Sequence, residues 1–293
     1  MVSADLVVQT AVNGLLLGGI YALAALGLSL VFGIMDIVNL AHGHFLMVGG
    51  YVAVLIFSML GLSPLLGMVA AIVVLFVVGV VVHQLVLKRV VDEGIEQPIL
   101  VLFGVALVLQ NLGRYFLGAN ARTTDLSIGG NVLDVGFLSL SFPRTLTFVI
   151  AVLLVGLTWL LLHRTDTGRA IRATAQNRTA ATYMGIDTER VYTLTMGIGA
   201  ALAGAAGALL SMLFPIDPFV GWSYLLKAFA AVVLGGVGSI VGTLVGGLVL
   251  GVSENLGALF IGGSYRDIIT FAIFLAVLLV RPQGLFGGSG GGE

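Results

Sequence analysis

The residues with the clearest chemical potential lie in one basic segment, residues 164–190, of a chain that is otherwise strongly apolar. This segment holds five of the thirteen Lys and Arg residues. Residues 169–184 are compatible with a helix, and Gly185 is suited to close it as a C-cap. Short alanines would let such a helix sit deep in a cleft of a partner protein, and its arginines would pair with the partner's carboxylates. The alternative is a solvated linker whose arginines only mark the inner face of a membrane.

A second polar group, Asn39, His42, Gly43 and His44, interrupts the first pair of apolar runs. Two histidines two residues apart point to different sides of a helix, and no third His, acid or Cys is near. A metal site is therefore not expected. We expect a polar break in which Asn39 and His42 satisfy unwound backbone. A purely structural turn is the alternative.

Isolated polar residues also occur within the apolar runs. Glu254 follows a long uncharged stretch, and an acid at membrane depth usually faces a cavity or a partner. If the span ends near Ser253, however, Glu254 is interfacial. Gln110 and Asn111 either contact the solute or form a packing hydrogen bond, and Lys227 is expected to be an interfacial, snorkelling lysine. No spanning segment offers an evident cation–anion pair.

The composition determines the class of protein that must position these residues. Apolar residues make up 59 % of the 293 residues and charged residues 9 %, whereas soluble domains are roughly a quarter charged. We therefore expect an all-α polytopic membrane protein with about eight transmembrane helices in one domain, residues 1–286, and a flexible tail, residues 287–293. The candidate spans are residues 6–32, 45–61, 63–87, 98–117, 142–162, 191–214, 228–253 and 265–281.

Several local features refine this topology. The cluster of glycines after residue 234 predicts a broken or re-entrant helix near 226–240, which leaves the side of the C-terminus open. Turn residues followed by alternating apolar positions predict a short external hairpin near 120–140. Residues 88–89 and 164–190 are expected on the same, cytoplasmic side, because 98–117 and 142–162 each cross once.

Small residues at four-residue spacing predict close helix packing in lipid. We interpret each such row of small residues as a contact between helices of the same chain and not as a dimer interface. The glycines assigned to this role are Gly14, Gly18, Gly238, Gly242 and Gly246.

Missing residue types exclude other functions. The chain has no cysteine, so it forms no disulfide or thiolate metal site. Its two lysines, Lys88 and Lys227, both follow leucine, so no Gly-Lys pair of a phosphate-binding loop exists. Energy must come from a partner or from an ion gradient. Paired acids and Ser/His constellations are absent from the spans, so we expect no enzymatic activity and no cofactor.

Motifs in order along the chain resemble the permease subunits of the high-affinity branched-chain amino acid ABC transporter family. They lie in residues 13–22, 33–43, 169–187, 227–239 and 281–285. His44 departs from the family pattern, which has an acidic residue after the His-Gly pair. The resemblance makes residues 164–190 the cytoplasmic coupling loop. The residues assigned to coupling are Arg169, Arg172, Ala173, Gln176, Arg178, Ala180, Ala181 and Gly185, and those assigned to the path or gate are Asn39, His42, Gly43, Gln110, Asn111 and Glu254.

The resemblance also implies an assembly in the bacterial inner membrane. It consists of a second homologous permease, with a homodimer also possible, two cytoplasmic subunits that bind the ATP, and an extracytoplasmic solute-binding protein. Nucleic acid is not an expected partner. The expected cargo is a branched-chain or related amino acid. The alternatives are urea, short amides or other small organic acids within the same family, or an ion-coupled secondary transporter that uses Asp36 and Glu254 as ion sites.

Overall fold

The computed structural model describes residues 3–124, 132–135, 138–281 and 284–286. The predicted tail at 287–293 and residues 125–131 of the predicted hairpin lie outside this part of the chain. Eight of the described helical segments are long and apolar enough to cross a membrane, which confirms the all-α polytopic architecture. The elements are α1 (Ala4–Met35), α2 (His42–Leu60), α3 (Pro64–Leu85), α4 (Glu96–Leu117), β1 (Val132–Val135), β2 (Leu138–Ser141), α5 (Phe142–Arg164), α6 (Asp166–Gln176), α7 (Arg178–Tyr183), α8 (Thr188–Ser211), α9 (Val220–Gly235), α10 (Ile240–Ile261) and α11 (Arg266–Val280).

Helices α1 and α8 form the centre of the bundle. Most of α1 beyond residue 13 is buried, and so is almost all of α8 beyond residue 194. Helix α1 packs against α10, α8, α5 and α9, while α8 packs against α3 and α2. Because lipid tails are as apolar as leucine, such packing depends on close contact between helices.

Glycines provide this close contact between α1 and α10. A Cβ atom added at Gly18 would lie 2.8 Å from the carbonyl oxygen of Gly247, and one added at Gly247 would meet the backbone of Ala22. Gly14 faces Gly251 in the same way. The stripe of α10 that contacts α1 is therefore Gly247 and Gly251, which the sequence analysis missed.

The predicted stripe at Gly238, Gly242 and Gly246 has a different arrangement. Gly242 and Gly246 pack against the backbone of α9. Gly238 lies outside both helices with a φ of 77°, so its assignment to a helical stripe is wrong. A positive φ favours glycine for conformational reasons and not for packing.

We expect Gly247→Ala to lower the free energy of unfolding by about 1–3 kcal/mol, because the added methyl group would force α1 and α10 apart. Gly156→Ala in α5 is the matched control, since its Cβ would have no atom within 4 Å. Unfolding of the two purified variants in mixed detergent micelles compares them. Equal stability would contradict the close α1–α10 packing.

The predicted span at 228–253 is wrong, because two helices divide it, whereas the predicted break near 226–240 is confirmed. Helix α9 ends at Gly235 and α10 begins at Ile240. Gly236 has a φ of 95°, and the Ser239 hydroxyl accepts a hydrogen bond from the Gly242 amide at 3.0 Å. A left-handed residue and a new N-cap end one helix and begin the next.

Helices α2 and α9 both begin inside the bundle. The His42 ring, in the first turn of α2, contacts the Ala24 carbonyl oxygen in the middle of α1 at 2.8 Å. Gly43 packs against the backbone of Gly221 at the start of α9. With 16 residues, α9 is shorter than the roughly 20 residues that span a bilayer.

The predicted single helix over residues 169–184 is wrong, because Asn177 divides it into α6 and α7. Asn177 is extended, and its side chain accepts a hydrogen bond from the Ala180 amide at 2.9 Å. Asparagine side chains compete with helical backbone bonds in this way. The predicted role of Gly185 in ending the helix agrees with its φ of 81°.

Long-range contacts define the two ends of the bundle. Strands β1 and β2 pair antiparallel, which confirms the predicted hairpin. Gln9 holds this hairpin to the start of α1 through both backbone groups of Ser139, at 2.7 and 2.9 Å.

At the other end, which we call the basic end, Lys88 forms an ion pair with Glu189. Residues 88–89 and 164–190 therefore lie on one side, as predicted.

Candidate functional site

The helix pair α6–α7 is fixed to the basic end of the bundle by its own arginines. Arg172 donates a hydrogen bond to the Leu162 carbonyl oxygen at the end of α5. Arg178 pairs with Asp92 between α3 and α4, and lies 5.0 Å from the centre of the Tyr192 ring. The hydrogen bond from Arg178 lowers the pKa of the Asp92 carboxyl, so Asp92 stays ionised at neutral pH. Two transmembrane helices, α5 and α8, and the segment between α3 and α4 thus meet at this helix pair.

The residues assigned to coupling divide into an inner and an outer face. Ala181 is buried, and Arg172 and Ala173 are half-buried. Exposed residues include Arg169, which pairs with Asp166 of the same helix. The exposed members of the assigned set are Arg169, Gln176, Arg178, Ala180 and Gly185.

Two large apolar residues at the tip of the helix pair were missed. Tyr183 is 86 % exposed and Met184 is 81 % exposed. They lie at the end of α7, directly before Gly185. Their position next to a C-cap glycine in a basic segment was a usable sequence signal. Exposed apolar side chains outside a membrane typically mark a protein contact.

A cavity of about 330 Å³ connects the helix pair to the break between α9 and α10. Ile171 and Arg172 of α6 line one wall, and Gly238 and Ser239 line the facing wall. The Gly238 amide donates a hydrogen bond to the Ser29 hydroxyl of α1 at 3.1 Å. A displacement of α6 would therefore act directly on the lining of this cavity.

Two of the residues assigned to the path, Gly43 and Gln110, lie where α2 and α9 begin, and Asn39 lies just before α2. Asn39 is fully buried, and its side-chain oxygen accepts a hydrogen bond from the Ala41 amide at 3.0 Å. The amide oxygen of Gln110 accepts a hydrogen bond from the Trp222 indole of α9 at 3.2 Å. The His44 ring lies edge-on to Trp222, 4.7 Å between ring centres.

Asn111 lies outside this group. Its side chain bonds to the Leu107 carbonyl oxygen of its own helix at 2.8 Å and is exposed. The structure therefore brings Gly43 and Gln110 together around the start of α9, with His42 one residue before Gly43, but not Asn111.

Glu254 belongs to a separate, charged cluster. Its Oε1 atom lies 2.8 Å from Nζ of Lys227, although the two residues are on different helices. Asp267 of α11 is 3.5 Å from the same nitrogen. The centres of the Tyr21 and Tyr224 rings lie 5.4 and 5.5 Å from it, within the range of a cation–π contact.

This cluster corrects three predictions. Glu254 is 1 % exposed and lies within α10, so the interfacial interpretation is wrong. Lys227 is 8 % exposed and ion-paired, so it is not a snorkelling lysine. The statement that the spans offer no cation–anion pair is also wrong, because tertiary folding creates one from two residues that are isolated in the sequence.

Comparison with known proteins agrees with this architecture. The model of the family "Branched-chain amino acid transport system / permease component" matches residues 10–278. The high-affinity branched-chain amino acid transport system permease protein BraD of Pseudomonas aeruginosa is 35 % identical, over 95 % of each chain. LivH of Escherichia coli, described in the same words, is also 35 % identical over 95 % of each chain.

Among solved structures, PsaBC from Streptococcus pneumoniae in complex with Fab is similar in fold. Its TM-score is 0.54 at 15 % identity, with 94 % of this chain and 92 % of that chain covered. This likeness concerns the fold alone. The match over residues 10–278 and the 35 % identity to two full-length permeases place the chain among the permease components of branched-chain amino acid transport systems, the family to which it belongs.

Proposed function

We propose that this chain lines the translocation path of an ABC importer that carries branched-chain or related amino acids. A second, homologous permease completes the path, two cytoplasmic subunits bind the ATP, and an extracytoplasmic binding protein delivers the solute. The chain itself needs no cofactor and catalyses no reaction. The names of BraD and LivH support the choice of cargo.

The observation that carries this proposal is the construction of the helix pair α6–α7. It is bonded to α5 and to the segment before α4, yet its tip presents Tyr183 and Met184 to the surroundings. A linker that only marked the inner face would need neither the anchoring contacts nor an apolar tip. This arrangement suits a partner that pushes or pulls on the bundle.

The proposed mechanism has two states that the nucleotide favours differently. Binding of ATP by the partners moves α6–α7. This motion passes to the bundle because Arg172 bonds the pair to α5 and Arg178 bonds it to the segment before α4. The motion reaches the cavity between α6 and the α9–α10 break. Rearrangement of the glycine-rich break then opens or closes the inner end of the path.

Uptake by the assembled transporter tests this function. The chain is co-expressed with candidate ATPase, second permease and binding-protein subunits from the same organism, and uptake of radiolabelled leucine, urea and acetamide into proteoliposomes is measured. We expect leucine uptake that requires ATP. Uptake driven by an ion gradient without ATP would favour the secondary transporter, and uptake of only urea or acetamide would assign the path to the other cargo.

A further inference from the structure

We propose that Lys227 and Glu254 form a binding site for the two charged ends of an amino acid during its passage, and that the adjacent groove receives its apolar side chain. This inference rests on the proposed function, since it requires that amino acids pass through this chain. The cargo class it predicts is a zwitterion with an aliphatic side chain.

Lys227 and the Tyr21 hydroxyl both interact with the Glu254 carboxylate, yet one of its oxygens has no close partner in the described part of the chain. Its Oε1 atom bonds Lys227 at 2.8 Å, but its buried Oε2 atom has no hydrogen-bond partner among the described residues. Buried polar atoms are nearly always hydrogen-bonded, because an unmet carboxylate oxygen away from water is costly. A substrate ammonium group is a donor of the right charge for this atom.

The surroundings of Lys227 also suit a cationic group that changes partners. The lysine ammonium lies close to the faces of Tyr21 and Tyr224, and near Asp267. Aromatic faces and a second carboxylate stabilise whichever ammonium group is present. Lys227 can therefore turn from Glu254 to a substrate carboxylate without losing all its partners.

An entering zwitterion would exchange one internal ion pair for two intermolecular pairs. Its carboxylate would pair with Lys227 and its ammonium with Glu254. Neither protein charge would then remain unpaired inside the membrane, which is the condition that makes buried charges tolerable. A solute with only one charged end would leave one of these residues without a partner.

A groove of about 110 Å³ opens at Lys227, and the buried Glu254 carboxylate lies behind this lysine, 2.8 Å from its ammonium nitrogen. Lys227, Asp267 and Thr270 form the polar part of the groove, and the Thr270 hydroxyl is buried without a partner among the described residues. Its apolar part consists of Trp222, Leu226 and Phe271. This juxtaposition of charges with apolar walls is the arrangement that recognises an amino acid with an aliphatic side chain.

The first test removes both charges together. Lys227→Met with Glu254→Leu leaves no buried charge without a partner, since Asp267 is 68 % exposed and stays hydrated. We therefore expect the variant to fold, as its thermal unfolding midpoint will show. ATP-driven leucine uptake by the assembled transporter in proteoliposomes should fall at least tenfold. Uptake at the wild-type rate by the folded variant would overturn the proposal, because the pair would then serve only the structure.

The second test changes selectivity and remains decisive if the first variant fails to fold. Leu226→Trp narrows the groove at an exposed position, and it should lower the ratio of leucine to valine uptake about fourfold, the effect of one methylene group. Leu275→Trp, on an exposed face of α11, is the matched control. An unchanged ratio in Leu226→Trp would overturn the assignment of the groove.

The outcomes separate this inference from the function on which it rests. A wild-type complex that hydrolyses ATP but takes up no amino acid would contradict the proposed function. Normal leucine uptake by the wild type, with no effect of either variant, would contradict the binding site alone.

Discussion

The single substitution Lys227→Met is expected to lower the free energy of unfolding by about 3–5 kcal/mol, because it leaves Glu254 buried without its partner. Glu254 is 1 % exposed, so water cannot replace the lost ammonium group. Protonation of the carboxylate would reduce this cost but not remove it. Unfolding of the purified chain in mixed micelles measures the change.

Lys88→Met is the control for this experiment. The Lys88–Glu189 pair at the basic end is half-exposed, with side-chain exposures of 49 % and 55 %. Exposed pairs contribute about 0–1 kcal/mol, so this variant should be nearly as stable as the wild type. Equal losses from the two substitutions would show that burial does not set the cost of breaking the Lys227–Glu254 pair.

The double substitution Tyr183→Ala with Met184→Ala should weaken binding of the ATPase subunit by at least about 30-fold. Truncation of a central aromatic residue in an interface commonly costs about 2 kcal/mol or more, and each 1.4 kcal/mol corresponds to a factor of ten. Both side chains are largely exposed and touch little of their own chain. The chain itself should therefore fold normally, while ATP-driven uptake is lost at limiting ATPase concentration.

A matched pair of residues provides the control. Tyr115 is 82 % exposed and Met59 is 77 % exposed, and both lie near the opposite end of the bundle. Tyr115→Ala with Met59→Ala removes the same side chains without touching the helix pair α6–α7. Titration of the ATPase onto both variants in nanodiscs compares them. Undiminished binding by the Tyr183 and Met184 variant would place the contact elsewhere.

These two experiments concern different parts of one transport cycle. The first examines a charged cluster among α1, α9, α10 and α11, and the second examines the surface through which a motor would act. The cavity beside Arg172 lies between them in the chain of contacts, since α6 and the α9–α10 break both line it. The two parts are separable if the Tyr183 and Met184 variant loses ATPase binding but keeps the stability of the wild type, and if Lys227→Met loses stability but keeps ATPase binding.

Much of the fold could be predicted from the sequence because the membrane permits few backbone conformations. Backbone groups in the hydrocarbon must bond within their own segment, so each long uncharged run becomes a helix. The predicted span at 98–117 corresponds to α4 (Glu96–Leu117), and that at 142–162 to α5 (Phe142–Arg164). Turn-forming residues likewise predicted the hairpin and the break after Gly235.

Local side-chain bonds explain why some boundaries could not be predicted. The apolar run continues from α9 into α10, and the backbone at Gly236 and Gly238 together with the Ser239 N-cap interrupts it. Composition favours a helix through Asn177, yet its side chain caps α7 and divides the coupling segment. At such positions a side-chain hydrogen bond competes with the helical backbone hydrogen bonds. Residue patterns do not show which of the two bonds forms.

By itself, the sequence determined the class of protein, the number of spans, the shared side of the two basic segments and the family. All of these follow from which residues can enter lipid and from motifs in order along the chain. Only the tertiary structure decided the role of Lys227 and Glu254. They lie on separate helices and each resembles a boundary residue in the sequence. Because the cost of a buried charge depends on its partner, a pair that forms only when α9 packs on α10 has no signature in either helix alone.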